Sequence, residues 1–483
     1  MAAHQDDLLV FNGVDGASGD YLLPPLRPAV VSALARGERL DPGEARDLKN
    51  RHEAASASVL GPVEGVDPLD LAAAGWGVVF AADADPAVRG ALRPLLDHRR
   101  RQAARVEERH YREVAGADGY RAGESVADFL VRHQVAPGQP ANPRRMPYYL
   151  LLVGDPEAIP YRFQYLLDIV YAVGRLHLQT PEAYERYAWS VVEAERVGAG
   201  TARAAFFGVR NPDDRPTMLS ADHLVTPLAE AAARRFPAWS ITRAVGAQAT
   251  KAELARLLGG DGTPDLLFLA GHGMGFPRDD PRQLPHQGAL LCQDWPGRLA
   301  WRKPIPHDFY FAGDDLSGQT RLSGLVVFLH ACYGAGTPRT DDVLGRVGER
   351  PTPIAPRAFV GSLPQRLLGH PNGAALALIG HVERAWAYSF VWPGVTEHTD
   401  VYQSLLARLF EGAPVGHAVE YLNNRCAALT AELEEAKEEV AFGRVPDDLA
   451  LSLLWTARND ARNCVVLGDP AVRLHRSDPS YES

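Results

Sequence analysis

The apolar positions of this chain fall in short unbroken runs rather than in strict alternation with polar ones. GWGVVFAAD (75–83), YYLLLVGD (148–155) and the runs at 204–209, 239–245, 266–270 and 325–330 are strand-length and rich in Leu, Val, Phe and Ala. Most are bounded by Gly, Pro or Asp. Such runs read as strands buried on both faces. Between them lie stretches of helical character at 86–113, 222–234, 250–258 and the Glu- and Ala-rich 415–440. The first follows Asp85 and opens with Pro86, a good helix start. Residues 356–362 and 386–392 add two candidate strands, and NCVVLGD (463–469) closes the series. Residues 1–60 begin extended (LLVFNGVDG) and turn helix-like as far as about residue 58. This alternation predicts an α/β fold: a doubly wound, mostly parallel sheet flanked by helices, preceded by a smaller α/β subdomain.

The length of 483 residues accommodates two or three domains. At 46% hydrophobic and 23% charged, the chain can bury a large core without disulfides. The net charge is -10, and the one basic block is the short run 99–101, so nucleic acid is not an expected partner. The four cysteines, Cys292, Cys332, Cys426 and Cys464, form no CxxC pair and suggest neither a zinc knuckle nor a disulfide framework. That usage, an acidic N-terminus and no apolar stretch of membrane-spanning length give the expectation of a cytoplasmic protein. Arginine far outnumbers lysine, as in proteins from GC-rich bacterial genomes.

Two runs carry chemistry. DLLFLAGHGMG (265–275) ends in His272–Gly273, and GLVVFLHACYGAG (324–336) ends in Cys332. Ligands bind beyond the carboxyl ends of strands in open α/β sheets. If these strands are neighbours, an imidazole and a thiol share one rim. A thiol attacks an amide as thiolate, which a nearby imidazole promotes before protonating the leaving amine. The oxyanion then needs donors already aimed at it. Gly273 offers an N–H with no side chain in the way. The chemistry also requires the sulfur to face a groove open to a peptide. Residues 276–323, rich in Pro, Gly and Asp, link the two strands and are expected to border the site. Singly, either residue reads as an ordinary buried Cys or a hydrogen-bonded structural His; the joint pattern points to catalysis.

LAGHG and LHACYG resemble the signature of the caspase-like cysteine peptidases, a clan that includes caspases, gingipains, separase and bacterial CHAT-domain proteases. The resemblance is closer to the gingipain and CHAT branch and spans about residues 148–392, or as far as about 470. It implies a caspase-like fold and a cysteine endopeptidase acting through a thioester acyl-enzyme. It implies Cys332 as nucleophile, His272 as acid–base, and the N–H groups of Gly273 and Cys332 as oxyanion donors. No cofactor or metal is implied. His330 stands where caspases carry Gln, so cleavage after Asp is not implied. LLDIVYA (166–172) resembles a gingipain segment whose acid lines the specificity pocket, which makes Asp168 a candidate for binding a substrate Arg or Lys; a carboxylate capping a turn after Tyr165 is the alternative. His330 and Trp392 are further candidates for shaping the substrate pocket. For Trp392, as for Trp386, a core role is the alternative.

The implied layout is an N-terminal regulatory or packing region (1–145), a connecting segment with the specificity residues (146–200), a catalytic domain (201–400), and a C-terminal helical segment with a closing strand (401–483). The expected partners are a protein or peptide substrate and an activating protein, with no nucleic acid and no membrane. Asp314–Asp315 and Asp341–Asp342 read as calcium ligands or as solvated surface acids. No G-x-S-x-G, Walker A, H-E-x-x-H or dinucleotide fingerprint is present. A catalytically inactive caspase-like interaction protein and another thiol amidase remain as alternatives.

Overall fold

A computed structural model describes residues 8–37, 62–198, 202–341, 352–392 and 398–474. In chain order the strands are β1 (Gly13–Asp15), β2 (Trp76–Phe80), β3 (Tyr111–Val114), β4 (Tyr149–Val153), β5 (Ala172–Leu176), β6 (Arg203–Gly208), β7 (Ser240–Val245), β8 (Leu266–Ala270), β9 (Gly273–Gly275), β10 (Leu290–Leu291), β11 (Tyr310–Phe311), β12 (Val326–His330), β13 (Gly336–Thr337), β14 (Thr340–Asp341), β15 (Thr352–Pro353), β16 (Phe359–Val360), β17 (Ala377–His381) and β18 (Cys464–Gly468). Ten of them form one sheet in the order β3-β2-β4-β5-β18-β17-β12-β8-β6-β7. All neighbours are parallel except β17 and β18. Two parallel runs thus meet at one antiparallel seam, and both are flanked by helices. β1-β9-β10-β11 make a smaller sheet, and β13–β16 and β14–β15 pair as short ribbons. This is the mostly parallel α/β architecture read from the sequence.

The central strands β2, β4, β5, β8, β12, β17 and β18 are buried along their whole length. Their side chains leave water on both faces, and no polar alternation survives in the sequence. The helices carry ordinary end signals. Pro181–Val197 has Thr180 at its N-cap, Pro181 in its first turn and left-handed Gly198 at its end. Asp447 caps Asp448–Asn463, which packs on Val415–Ala441 and on Pro28–Gly37.

Several elements differ from the expectation. The single helix over 86–113 is two helices, Pro86–Ala91 and Arg93–Ala103, followed by β3. Pro94 starts the second helix, and Arg99 anchors it through the buried Asp469 carboxylate at 2.7 Å. Residues 386–392 form no strand: a turn of 3-10 helix occupies Ala387–Ser389, and the central strand is β17, earlier in the chain. Of the helix-like stretch at the N-terminus, Pro28–Gly37 is helical, and the remainder to residue 58 lies outside the described residues. No described helix is long and apolar enough to cross a membrane.

Candidate active site

β8 and β12 are adjacent and parallel, with His330 opposite Ala270. His272 and Cys332 therefore leave the sheet from neighbouring strand tips. A Cβ at position 273 would stand 1.8 Å from the Cys332 carbonyl oxygen, so only glycine permits this close approach. Tyr333 adopts a left-handed φ of 60°, a costly conformation for a bulky residue, and it turns the chain sharply after the thiol. Two main-chain bonds hold that turn, Tyr333 N–H to Glu383 and Ala335 N–H to His381.

His272 Nε2 lies 2.8 Å from Asp214 Oδ2, and both side chains are fully buried. Asp214 also accepts from Tyr21 Oη at 2.6 Å and from the Thr217 hydroxyl. Burial alone would raise its pKa; His272 and these donors outweigh it and hold the carboxyl below the ordinary range. Burial and Asp214 push the Tyr21 phenol well up, so it stays a donor. With Nε2 facing the carboxylate, Nδ1 is the nitrogen of His272 left without a hydrogen-bond partner. Trp295 meets the imidazole edge-on, with ring centroids 6.0 Å apart. It belongs to the interval 276–323, which does border the site.

Asp214 did not emerge from the sequence. The available signal was NPDDRP (211–216), two acids just beyond the tip of β6, the strand beside β8. The rim rule that singles out His272 and Cys332 covers that loop as well.

The rim above His272 and Cys332 is covered rather than open. Residues 8–15 lie over it, bridged at Leu9 and Phe11, turned at Asn12 where Gly13 N–H bonds Phe11 O at 3.1 Å, and paired as a strand over Gly13–Asp15. Tyr388 Oη donates to Leu8 O at 2.6 Å, Ala387 N–H to Val10 O at 3.3 Å, and Asn12 N–H to Ala385 O at 3.0 Å. Phe11 bridges Trp386 in antiparallel fashion, and the rings meet at 5.2 Å. The Asn12 carbonyl oxygen then accepts from two amides, Gly273 N–H and Cys332 N–H, each at 3.0 Å. Beyond it, β1 pairs in parallel with β9. Gly13 passes directly over the thiol: a Cβ there would lie 3.0 Å from Cys332 Sγ.

Cys332 is fully buried as a result. Burial pushes its thiol up to about 12, although the Ala385 N–H 3.3 Å from Sγ and the nearby Arg384 pull the other way. The expectation of a sulfur facing an open groove is thus corrected: the chain's own N-terminal strand covers it.

The other sequence candidates have surroundings of their own. Asp168 precedes β5, which lies three strand spacings, about 14 Å, from β12. Its Oδ1 accepts from Val173 N–H at 3.1 Å, and it lines a cavity with Asn423, Cys426, Thr430, Arg458 and Arg462. His330 is buried against His381, Phe390 and Tyr402, and burial pushes its pKa down to about 3. Trp392 is half-buried and donates to the carbonyl of Tyr388 at 2.8 Å, the residue whose hydroxyl holds Leu8. Asp314 and Asp315 pair with His286 at 3.2 Å and His307 at 2.9 Å, and Lys251 bonds Asp315 at 2.8 Å. His286, His307 and Asp314 bring ligand-type atoms within 4.8 Å of one another. Asp341 pairs with buried Arg384; Asp342 lies outside the described residues.

No protein-family model matches this chain, and no curated protein does. Solved structures do. A structure described as a protease aligns with a TM-score of 0.46 and 12% identity, covering 83% of this chain and 78% of that one. The Arg-specific cysteine proteinase gingipain R aligns at 0.44 and 13%, covering 86% and 80%. The complex of the pro- and mature domains of Porphyromonas gingivalis RgpB aligns at 0.42 and 12%, covering 83% and 80%.

Proposed function

We propose that this chain is a cysteine endopeptidase. Cys332 is the nucleophile, His272 the acid–base, and Asp214 the group that orients His272. One observation carries the reading: the Asn12 carbonyl oxygen rests between the N–H groups of Gly273 and Cys332, 3.0 Å from each, beside the thiol. Two amides converging on a peptide carbonyl next to a sulfur are the parts an oxyanion hole needs.

In this reading the Cys332 thiolate attacks a peptide carbonyl, and the two amides hold the resulting oxyanion. His272 passes a proton to the leaving amine from its free Nδ1 while Asp214 retains Nε2–H. Water then hydrolyses the thioester. A peptide or protein is the substrate, bound by strand addition along 385–387. An activating partner would act by withdrawing the N-terminal strand. With that cover gone, the burial that pushes the thiol up to about 12 is relieved, and proton transfer to the imidazole becomes easier than it is under the strand.

The full burial of Cys332 favours a second reading, an inactive interaction protein in which the strand is a permanent part of the fold. A panel of fluorogenic peptides ending in Asn, Arg, Lys or Asp separates the two. Turnover that disappears in Cys332→Ala and His272→Ala but survives in His286→Ala supports the peptidase. No turnover of any peptide, with the N-terminus intact, supports the inactive shell.

A further inference from the structure

The strand over the active site is held in the manner of a substrate. Its main chain pairs antiparallel with 385–387 up to Asn12, and one carbonyl, that of Asn12, enters the pair of amide donors. The peptide bond that follows leads into Gly13, the residue lying against Cys332 Sγ. The next residues are held too: Leu22 N–H donates to Gly13 O at 3.3 Å, and Gly16 N–H to Gly275 O at 2.7 Å. Both sides of one peptide bond are thus fixed across the dyad. Reacting groups held in register gain much of their rate from position alone.

The side chain at this position is selected as well. Asn12 is fully buried, and its Nδ2 donates to Ser220 Oγ at 3.1 Å. Ser220 spends its own proton on Thr217 O at 3.2 Å, so it offers the pocket a lone pair. A carboxamide N–H₂ satisfies that lone pair, whereas a carboxylate would repel it. The Asn12 Oδ1 is buried without a hydrogen-bond partner, so the contact of Nδ2 with Ser220 is the one that recognises the carboxamide.

Building on the peptidase reading above, we propose that the chain is its own first substrate, cut between Asn12 and Gly13, and that the pocket beside Ser220 selects asparagine. Sγ adds to the Asn12 carbonyl carbon, the bond to the Gly13 nitrogen breaks, and His272 supplies that nitrogen with its proton. Water then cleaves the Asn12 thioester, leaving an Asn12 carboxylate, a free thiol and a chain that begins at Gly13. The covering segment, no longer covalently attached, can leave the groove.

The test follows the full-length chain by intact mass spectrometry and N-terminal sequencing, beside Cys332→Ala and Cys332→Ser. Asn–Gly bonds also react without an enzyme, and these variants set that baseline. A synthetic peptide of residues 7–16 (DLLVFNGVDG) is added in parallel. The expected result is conversion of the wild-type chain to one starting at Gly13, at least tenfold faster than in either Cys332 variant. The peptide is cut after Asn. Asn12→Asp and Asn12→Arg slow self-cleavage at least tenfold with unchanged circular dichroism. A chain that stays intact overturns the proposal, whether or not the added peptide is cut. If Cys332-dependent cleavage of other peptides persists, after Arg or Lys for example, the peptidase reading survives. If no peptide is cut by any form, both fall.

Discussion

The imidazole of His272 is tied to Asp214 by Nε2, 2.8 Å from Oδ2, in a pocket closed to water. A carboxylate partner fixes which nitrogen carries the proton, and Nδ1 is the one left without a hydrogen-bond partner. Asp214→Asn can present an N–H₂ to Nε2 and force the other tautomer. Against a peptide substrate, kcat is expected to fall on the order of 10²–10⁴-fold, with KM little changed. Steady-state kinetics across pH 5–9 check this. An unchanged kcat would mean that this histidine is not the acid–base.

Gly273 is fixed by space rather than by dihedral angle. An added methyl would meet the Cys332 carbonyl oxygen at 1.8 Å, so the strand tips must part. Gly273→Ala is expected to cost about 1–3 kcal/mol of stability, as overpacking does. It should also lower kcat on the order of 10²–10³-fold by displacing an oxyanion donor. Urea denaturation together with kcat measures both; a loss of stability with full activity would remove Gly273 from the donor pair.

Much of this arrangement was legible in the residues, for reasons that differ by element. LLFLA and VVFLH declare themselves because a central parallel strand is apolar on both faces, and their tips carry His-Gly and Cys directly. ALIGH was not read as a strand; it runs on from GAAL (373–376), small and apolar residues that suit a helix as well. Its strand state comes from its place between β12 and β18. The antiparallel seam is set by how helix Asp448–Asn463 returns the chain, and no local pattern records it. Asp214 was hidden because an acid in a polar loop looks like any surface acid until β6 is known to lie beside β8. The N-terminal strand was seen as extended, but where an extended segment lies is a property of the tertiary structure. LLDIVYA drew Asp168 toward the site by resemblance, whereas strand order sets it three spacings from Cys332.

His330 should make the fold acid-sensitive. Neutral imidazole is buried against His381, Phe390 and Tyr402, with both ring nitrogens lacking a hydrogen-bond partner. Burial, reinforced by His381, lowers its pKa to about 3, against about 6.5 in an unfolded chain. Between those values the unfolded state binds a proton that the folded state does not. Stability from this group therefore falls as pH drops from about 6.5 toward 3, by up to about 1.4 kcal/mol per pH unit, and is flat above that window. His330→Leu removes the titration. Urea unfolding at pH 7, 5.5 and 4.5 is expected to show a shallower decline for the variant; parallel curves would refute the assignment.

Arg384 ties the wall of the groove to its floor. Its guanidinium grips Asp341 with both side chains almost fully buried, and its face lies 5.3 Å from the centre of the Phe11 ring. Its neighbour Ala385 gives its N–H to Cys332 Sγ and its carbonyl to Asn12 N–H. The pair is costly to break from one side, because the remaining carboxylate keeps its burial and loses this guanidinium. Arg384→Met is expected to cost about 3–5 kcal/mol, and adding Asp341→Asn should return part of that. The same change loosens the wall that seals the thiol. Iodoacetamide labelling of Cys332, followed by peptide mass mapping at pH 8, should be slow in the parent chain and at least tenfold faster in Arg384→Met at a urea concentration where both remain folded. Equal labelling rates would show that the seal over Cys332 depends on the N-terminal strand alone and not on the ion pair behind it.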